Sequence, residues 1–575
     1  MKNRMFLLIA VFAMASMVLA ACGPAPTEAP AEPEAPAPTE APAAEPMPMY
    51  EGMTYEAPDC DYGGIVKSMK AVDEFTFELS LCVPDPAVPQ KLAFTSFNIQ
   101  PSEYLEATGG TGDLLEMPIG TGPYKVEAWE RGNQLVFTRN DDYWGEKALA
   151  QTLVFRWGTE TAQRLLELQS GTVDAIDNVG PEDFDKVQGD STLALLPRQA
   201  LNIMYFAFNN NPTVEGFDNS TNPFANEKVR QAIAMGIDRQ RIVDQFYPPG
   251  STVATHFTPC AIANGCVGDP WYSFDVDAAK ALLAEAGYPD GFDTTISFRD
   301  VARSYVAQPA AVVQDLQAQL KTNLNINATI EVMESGAFLD ASDSGQLTGM
   351  HLLGWGADYP DQTNFLDYHF GRSSSPQFGD KFDDITENLQ QAAQLPSDAA
   401  REPFYVAANN AIKQHVPMIP VAWGGSAIAT KADVTGVLAS PLNDEKFAPA
   451  SNGTDTFVWM QNAEPISLYC PDETDGESLR PCGQVTEGLL NFTTGTVVVE
   501  PGLAESYEAN DDLTVWTFTL RQGVKFHDGS SFDANDVVTS LALQWDAAHP
   551  LHTGNTGAFT YWSSLWGGYL NPPAQ

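Results

Sequence analysis

The sequence predicts an α/β protein in which mixed sheets are flanked by helices. Three observations favour this class. Segments with helical periodicity alternate with short strand-like runs over most of the chain. Hydrophobic residues make up 44% and charged residues 18%, which is typical of a globular protein. The part of the chain after residue 49 has more than 500 residues, which is enough for several domains with large cores.

The first 22 residues predict a secretory signal peptide. Lys2 and Arg4 form a positive start, and an apolar stretch over residues 5–20 is too short for a comfortable membrane span. It ends at Leu19-Ala20-Ala21-Cys22, which resembles the lipobox of bacterial lipoproteins. That resemblance implies cleavage before Cys22 and a diacylated Cys22. The alternative is an ordinary signal peptide in which Cys22 is incidental.

Residues 23–49 read as a linker, because they are almost entirely Pro, Ala, Glu and Thr. Such a composition buries too little apolar surface to offset its ordering entropy, so we expect a disordered tether. We find no second apolar run long enough to span a bilayer. The expected location is therefore extracytoplasmic, with the protein attached to the cell membrane as a lipoprotein, in the periplasm or at the cell surface.

The chain is strongly acidic, with a net charge of -45 and a pI of about 4.2. Nucleic acid is excluded as a partner, because its phosphates would be repelled. A solvated acidic surface explains the charge, and a preference for cationic ligands is a second interpretation.

Six cysteines remain when Cys22 is set aside, an even number that favours disulfides in an exported protein. Their spacing predicts local pairs, although the count alone allows other pairings. None forms a CxxC motif, so we expect no zinc or redox site, no metal and no cofactor. The predicted pairs are Cys60 with Cys82, Cys260 with Cys266, and Cys470 with Cys482.

Individual elements follow from the apolar pattern and the turn residues. Residues 65–81 alternate as strand, turn and strand, and residues 161–169 form a helix that Gly171 ends. In the last part of the chain, Asp533 is the expected N-cap of a helix over 533–545. Further predicted helices cover 227–246, 277–286, 306–320 and 399–415, and further strands cover 124–129, 134–138, 328–332, 349–355, 418–422, 457–459 and 514–520.

Several motifs together resemble the peptide/nickel family, family 5, of ABC transporter solute-binding proteins, which includes dipeptide- and oligopeptide-binding proteins. They extend over nearly all of the chain after the linker, and their number makes the resemblance specific. The matching stretches are Gly120-Thr-Gly-Pro-Tyr124, Arg139-Asn-Asp-Asp-Tyr-Trp-Gly145, Leu168-Gln-Ser-Gly171, Val229-Arg-Gln-Ala232, Leu282-Leu-Ala-Glu-Ala-Gly-Tyr-Pro289, Gly354-Trp-Gly-Ala-Asp358, Leu503-Ala-Glu-Ser506, Val524-Lys-Phe-His-Asp-Gly529 and Ala534-Asn-Asp-Val-Val538.

The order of these stretches departs from the family. The segment from Leu503 to Val538 resembles one that ordinarily lies near the N-terminus, before the Gly120 to Gly145 segment, yet here it comes last. We interpret this as a circular permutation whose new ends fall in one loop, between Leu570 and about Asp61. Permutation is tolerated when the cut lies in an exposed loop. The alternative is a truncated or misassembled gene.

The resemblance implies a two-lobed periplasmic-binding-protein-like fold of the large cluster C type, with a hinge that closes on a ligand. One lobe would comprise residues 50–206 and 425–575, and the other residues 207–424. The hinge crossings would lie near 206–208 and 421–423. The implied protein is a monomer, not an enzyme, that captures a peptide-like ligand for the permease subunits of an ABC importer.

The resemblance also assigns the ligand-binding residues. The residue matching Asp358 holds the α-ammonium group of the ligand in the family's peptide binders. Trp355 and Tyr359 flank it and can pack on the ligand. Other expected contacts are Glu464, Ser467, Leu468, Tyr561, Trp562 and Trp423, with Trp566 beside Trp562.

One position departs from some oligopeptide binders, which carry an arginine where this chain has Leu352. The resemblance therefore does not imply that an arginine at this position binds the ligand's carboxylate, and it leaves the length of the ligand open. Other ligands on the same fold are an oligosaccharide or a nickel or other metal chelate, the last through His549 and His552. A chemosensory receptor is a further alternative. A hydrolase is disfavoured, because the sequence has no GxSxG, HExxH or P-loop motif.

Overall fold

Strands and helices follow the apolar pattern of the chain in the part that the computed structural model describes, residues 50–210 and 222–572. The expected signal peptide, Cys22 and the linker lie outside these residues. The strands are β1 Thr54–Glu56, β2 Val66–Asp73, β3 Thr76–Leu81, β4 Tyr124–Glu130, β5 Gln134–Arg139, β6 Thr152–Trp157, β7 Ala175–Ile176, β8 Leu193–Arg198, β9 Asn202–Phe208, β10 Thr252–Val253, β11 Asp293–Arg299, β12 Asn327–Met333, β13 Met350–Gly356, β14 Met418–Trp423, β15 Ser426–Lys431, β16 Thr456–Gln461, β17 Leu490–Phe492, β18 Val499–Pro501, β19 Ala504–Ala509 and β20 Val515–Leu520.

The helices are mostly short, and a five-residue π-helical turn, Thr363–Asp367, precedes one of them. Their bounds are α1 Val88–Leu92, α2 Ser102–Thr108, α3 Thr161–Ser170, α4 Phe184–Gly189, α5 Glu227–Gly236, α6 Arg239–Phe246, α7 Val276–Glu285, α8 Pro309–Leu324, α9 Ser335–Asp343, α10 Tyr368–Phe370, α11 Asp383–Ala393, α12 Asp398–His415, α13 Gly476–Cys482, α14 Ala534–Trp545 and α15 Thr560–Leu565. None of the described helices is long and apolar enough to cross a membrane.

Three large sheets organise the described chain. A six-stranded sheet has the order β10-β14-β9-β13-β11-β12, and a seven-stranded sheet has the order β4-β5-β6-β16-β7-β15-β8. A five-stranded sheet, β1-β2-β3-β20-β19, combines strands from both ends of the described chain. Both larger sheets are mixed: β11 runs parallel to β12 and β13, whereas β13 runs antiparallel to β9. The α/β class with mixed sheets is confirmed.

The hydrophobic cores separate along the same lines. One core, which we call the central core, draws only on residues 201–423 and includes every residue of β9 except Asn202. The other three cores, the outer cores, draw mainly on residues 57–193 and 427–570, with Tyr359 and Tyr368 as the contributions from within 201–423. Burial of these apolar surfaces is the main stabilisation of each part.

The chain passes between the two larger sheets twice. Strand β8 ends at Arg198 in the seven-stranded sheet and β9 begins at Asn202 in the six-stranded sheet, so the first crossing lies a few residues before the expected 206–208. The second crossing lies at Gly424 and Gly425, directly after the expected 421–423. The Asn202 side chain joins the two crossings, because its amide donates to the Gly424 carbonyl at 2.7 Å and accepts from the Gly424 N–H at 2.8 Å.

Most expected elements are present, and one expected helix is divided. Residues 227–246 form two helices, because α5 ends at Gly236 and α6 begins after Asp238. The Asp238 carboxylate accepts a hydrogen bond from the Arg241 N–H and so caps α6. Gly236 is a helix stop signal and Asp238 a helix start signal. The apolar pattern continues across both residues, so the pattern alone predicted one helix. Elsewhere Asp533 caps α14 in a full capping box, as expected.

All six described cysteines form disulfides, in the expected pairs. Cys60 is joined to Cys82, Cys260 to Cys266, and Cys470 to Cys482. The third bridge connects the short segment before Asp475 to the end of α13. The residues between its two cysteines include Asp475, Glu477 and Arg480, which line the cavity described in the next section.

Candidate functional site

A cavity of about 130 Å³ lies where the central core meets the outer cores. From the central side it is lined by the ends of β11 and β13 and the loops that follow them. The opposite side is lined by segments near α13, α15 and residues 442–444. Its charged lining residues are Asp177, Arg299, Arg303, Asp358, Asp444, Asp475, Glu477 and Arg480. We call this the first cavity.

Asp358 lines the first cavity just beyond the end of β13. Its carboxylate accepts hydrogen bonds from the Asn364 amide at 2.7 Å and from the Tyr561 hydroxyl at 3.1 Å. The Asn364 amide oxygen in turn accepts from the Asp358 backbone N–H at 2.9 Å. Burial raises the pKa of Asp358 to about 7, although the hydrogen bonds that its carboxylate accepts from Asn364 and Tyr561 oppose the rise.

Asp358 has no cationic partner: in the described part of the chain no lysine, arginine or histidine lies within ion-pair distance of its carboxylate. A carboxyl with a raised pKa that lines a cavity is a candidate binding group, because a ligand cation would stabilise its charged form. The site therefore offers one position for a positive charge.

Trp355 forms an aromatic wall beside Asp358. Its ring centroid lies 4.0 Å from that of Tyr368 and 6.2 Å from that of Tyr561, and it lines the first cavity while remaining partly exposed. The indole N–H donates to the Asn364 side chain at 3.3 Å. An aromatic wall of this kind adds affinity without fixing the ligand's hydrogen-bonding pattern.

An ionic group joins the two sides of the first cavity. Arg303, in the loop after β11, pairs with Asp475 at 2.7 Å and with Glu477 at 3.1 Å. Because Arg303 belongs to the central side and both carboxylates to the outer side, this group joins the two walls of the cavity. Burial acts against the charge of Arg303, but Glu477 and Asp475 outweigh it, so the pKa of Arg303 is raised. Burial also raises the pKa of Glu477.

A second buried ion network supports the floor of the cavity. Arg480 pairs with Asp177 at 2.9 Å and with Glu445 at 2.8 Å. Arg198 pairs with the same two carboxylates, each at 2.6 Å. Burial opposes ionisation of Asp177, but Arg198 and Arg480 dominate and the pKa of Asp177 is lowered. Two arginines and two carboxylates thus compensate one another.

Arg299 differs from the other cavity arginines, because no carboxylate of the described chain lies within hydrogen-bond distance of it. It donates to the Ser335 hydroxyl at 2.9 Å and to the Tyr305 hydroxyl at 3.3 Å, and Asp475 is 3.9 Å away. A guanidinium group has five N–H donors, so Arg299 retains donors for a further acceptor. It is the cation of this cavity with most capacity for a ligand anion.

Of the residues expected to bind a ligand, Asp358, Trp355 and Tyr561 line the first cavity together. Six others are positioned elsewhere in this structure, for identifiable reasons. Leu468, Trp562 and Trp423 are buried in hydrophobic cores, and Trp562 stacks on Trp566 at 5.5 Å. The remaining three are polar residues with local partners: Tyr359 contacts the Thr363 hydroxyl, Glu464 accepts from the Trp129 indole N–H and the Gly132 N–H, and Ser467 donates to Glu473.

Sequence reasoning missed Arg299, Arg303, Asp475 and Glu477. A signal for the two arginines existed, because they lie at and just after the carboxyl end of β11. Strands β11 and β13 are parallel neighbours, so their carboxyl ends meet at one edge of the sheet, where ligands bind in open α/β folds. The two carboxylates lie far away in the chain and no local pattern marks them.

The metal alternative gains no support from the geometry. His552 hydrogen-bonds to the Leu543 carbonyl at 2.7 Å, and the ring of His549 accepts from the Leu551 N–H at 3.1 Å. Among residues 50–210 and 222–572, no group of three or more His, Cys, Asp or Glu side chains is arranged to hold a metal ion.

Solved structures define the class of protein. The fold is similar to that of the ABC transporter-associated periplasmic binding protein DppA from Helicobacter pylori, solved in complex with the peptide STSA, with a TM-score of 0.58 and 25% sequence identity over 65% of this chain and 71% of that one. The two-lobed fold of periplasmic binding proteins is thereby confirmed for this chain.

The family follows from the sequence match. Residues 35–377 and 498–560 match the family model described as bacterial extracellular solute-binding proteins, family 5 Middle. The chain belongs to this family. Among curated relatives, Heme-binding protein A of Haemophilus influenzae is 27% identical over 67% of this chain and 69% of its own length. The Dipeptide-binding protein of Escherichia coli is 25% identical over 67% of this chain and 72% of its own length.

Proposed function

We propose that this extracellular solute-binding protein captures short peptides between its two lobes and delivers them to the permease subunits of an ABC importer. The observation that carries the proposal is Asp358, a partly buried carboxylate that lines the first cavity without a cationic partner among the described residues. Relatives named for dipeptide binding, and a similar structure solved with a four-residue peptide, support the same ligand class. Capture, rather than catalysis, is the activity that the family description supports.

Recognition would use the charged ends of the peptide. The α-ammonium group would pair with Asp358, whose charged form it stabilises. The peptide carboxylate would be directed toward Arg299, which lies at the end of β11 on the same side of the cavity and retains N–H donors. Trp355 and Tyr561 would contact the side chains between the two ends, since aromatic surfaces tolerate different side chains.

Closure of the lobes would complete the site. The expected lobes were residues 50–206 with 425–575 and residues 207–424. Because the first crossing lies at 199–201, the first boundary of the proposed lobes moves there and β9 joins the second lobe. The ion pairs of Arg303 with Asp475 and Glu477 bridge the two sides, so they would favour the closed form. Hinge motion would occur at the crossings that Asn202 joins.

Attachment and chain order belong to the same proposal. A diacylated Cys22 followed by a linker over 23–49 would hold a monomeric binding protein at the membrane surface.

The permuted order is supported by the proximity of the expected ends, because the Ile65 N–H donates to the Trp566 carbonyl at 2.9 Å. Strands β3 and β20, which lie far apart in the chain, also pair directly.

Mass spectrometry of material released by denaturing the purified protein tests the ligand class. We expect short peptides to be released from the wild-type protein and to be depleted in Asp358→Ala. The exposed Asp113→Ala serves as a charge-matched control and should retain them. Release of a sugar or a metal chelate, or peptide retention in Asp358→Ala, would overturn the proposal.

A further inference from the structure

A second cavity, of about 350 Å³, lies apart from the first and is not used by the proposed peptide site. It is bordered on one side by the Cys60–Cys82 bridge and residues 564–567, and on the other by the turn at 371–373 and α11. Small-molecule sites occupy roughly 300–1,000 Å³, so this cavity has the size of a ligand site.

The cavity contains one carboxyl group whose hydrogen bonding is incomplete. Asp367 lines it, its Oδ2 atom is buried, and no hydrogen bond or ion pair reaches that atom from the described residues. Leaving a buried carboxyl oxygen without a partner costs free energy, and native proteins rarely do so without a reason. Burial, above all, raises the pKa of Asp367 to about 8, although the nearby Arg401 and Lys91 act to lower it.

The neighbouring charges do not supply the missing partner. Lys91 pairs with Asp85 at 2.6 Å and also donates to the Leu565 carbonyl at 2.6 Å, so its ammonium group is already engaged. Asp85 additionally accepts from the Ala87 N–H at 2.9 Å. This buried pair is internally compensated. The other nearby cation, Arg401, pairs with Asp361 at 2.6 Å, so neither cation forms an ion pair with Asp367.

One unmatched cation lines the same cavity. Arg372 is exposed at its border, and no hydrogen bond or ion pair joins its guanidinium group to any residue of the described chain. A buried carboxyl and a free guanidinium on one cavity are complementary to a molecule that carries both an ammonium and a carboxylate group.

The position of Asp367 places this cavity close to the first one. Asp367 ends the π-helical turn Thr363–Asp367, and Asn364 of the same turn holds Asp358. One turn therefore lines the second cavity and supports the Asp358 carboxylate of the first. Single π-helical turns are frequent at functional sites.

We propose that the second cavity is a binding site for a small zwitterion of amino-acid size, whose ammonium group pairs with Asp367 and whose carboxylate pairs with Arg372. This site is distinct from the peptide site at Asp358 and does not depend on it.

The test uses the full-length chain and L-selenomethionine as the probe, because selenium can be located by its anomalous X-ray signal. We expect a selenium peak in the second cavity that persists in Asp358→Asn and is lost in Asp367→Asn. In calorimetric titrations, Asp367→Asn and Arg372→Gln should each weaken binding to this site by about tenfold or more. Asp383 is an exposed acid of α11, so Asp383→Asn is the matched control and should leave binding to the second cavity unchanged.

A second measurement avoids reliance on the variants. N-acetyl-L-selenomethionine lacks the ammonium group, so it should give no peak beside Asp367 in the wild-type protein. A peak confined to the first cavity, or one beside Asp367 that survives acetylation or Asp367→Asn, would overturn the proposal. Failure of the peptide proposal would instead be detected as an absence of released peptides, which this experiment does not measure.

Discussion

The hydroxyl of Tyr561 donates a hydrogen bond of 3.1 Å to the carboxylate of Asp358, although 203 residues separate them in the chain. Tyr561 lies on α15 near the end of the described chain, whereas Asp358 follows β13 of the six-stranded sheet. The bond joins the two sides of the first cavity. It therefore links the proposed ligand anchor to the part of the chain that must move when the lobes separate.

Removing this hydrogen bond should shift the pH dependence of peptide binding. In Tyr561→Phe the carboxylate of Asp358 loses a donor that lowers its pKa, so the pKa rises further above about 7. Since the ionised form binds the ammonium group, we expect the midpoint of affinity against pH to move upward by on the order of one unit. Calorimetric titration with Ala-Ala across a pH series measures the midpoint. Tyr507→Phe, on β19, should not move it.

Asp358→Asn should stabilise the protein at high pH while weakening its binding of free-amine peptides. The folded-state pKa of about 7 lies above the ordinary value of a free carboxyl, so the carboxylate is harder to ionise in the folded protein than in the unfolded chain. Above pH 7 the group is ionised in both states, and the folded state is then destabilised by the full difference. As pH falls toward the ordinary value, the penalty disappears. We expect a gain on the order of 2 kcal/mol in free energy of unfolding near pH 8, and none near pH 4.

Urea denaturation at the two pH values checks this prediction. An equal gain at both values would show that burial of the charge is not the cause. A loss of stability near pH 8 would show that the Asp358 carboxylate is structurally required.

Arg303→Met should destabilise the protein, because it leaves the carboxylates of Asp475 and Glu477 buried without their cation. Breaking a buried pair from one side costs about 3 kcal/mol or more. The control is Lys228→Gln, which removes an exposed pair with Glu285 and should cost less than about 1 kcal/mol. Similar losses in the two variants, measured by urea denaturation, would contradict a cohesive role for Arg303.

Two glycines of the first cavity should respond differently to alanine. A Cβ atom on Gly354 would lie 2.3 Å from the Tyr305 ring and 2.6 Å from the Ile203 carbonyl, so Gly354→Ala should lower the melting temperature markedly. A Cβ on Gly356 meets its nearest neighbour, the Asn443 side chain, at 3.4 Å. Gly356→Ala should therefore fold with nearly unchanged stability. Thermal unfolding of both variants measures this difference. Equal shifts in melting temperature would refute the packing argument.

The comparison of sequence and structure shows where local patterns suffice. Strands β2 and β3, helix α3 with its stop at Gly171, and the cap at Asp533 depend on neighbouring residues, and the sequence predicts all of them. Asp358 was identifiable because its loop matches a family motif at the end of a buried strand.

Features that depend on long-range pairing could not be predicted in the same way. Arg303 faces Asp475 and Glu477 only because the chain brings together segments that are far apart in sequence. The burial of Trp562 and Leu468 likewise depends on packing against distant segments, since an aromatic or aliphatic residue in a matching loop can line a cavity or fill a core.

The central claim is that Asp358 holds the amino terminus of a peptide. Calorimetric titration of the wild-type protein and Asp358→Asn with Ala-Ala-Ala and its N-acetylated form tests this claim most directly. We predict that the wild-type protein binds the free-amine peptide at least about tenfold more tightly than the acetylated one, and that Asp358→Asn loses this difference. Equal affinity of the wild-type protein for both peptides, or a preference that persists in Asp358→Asn, would contradict it.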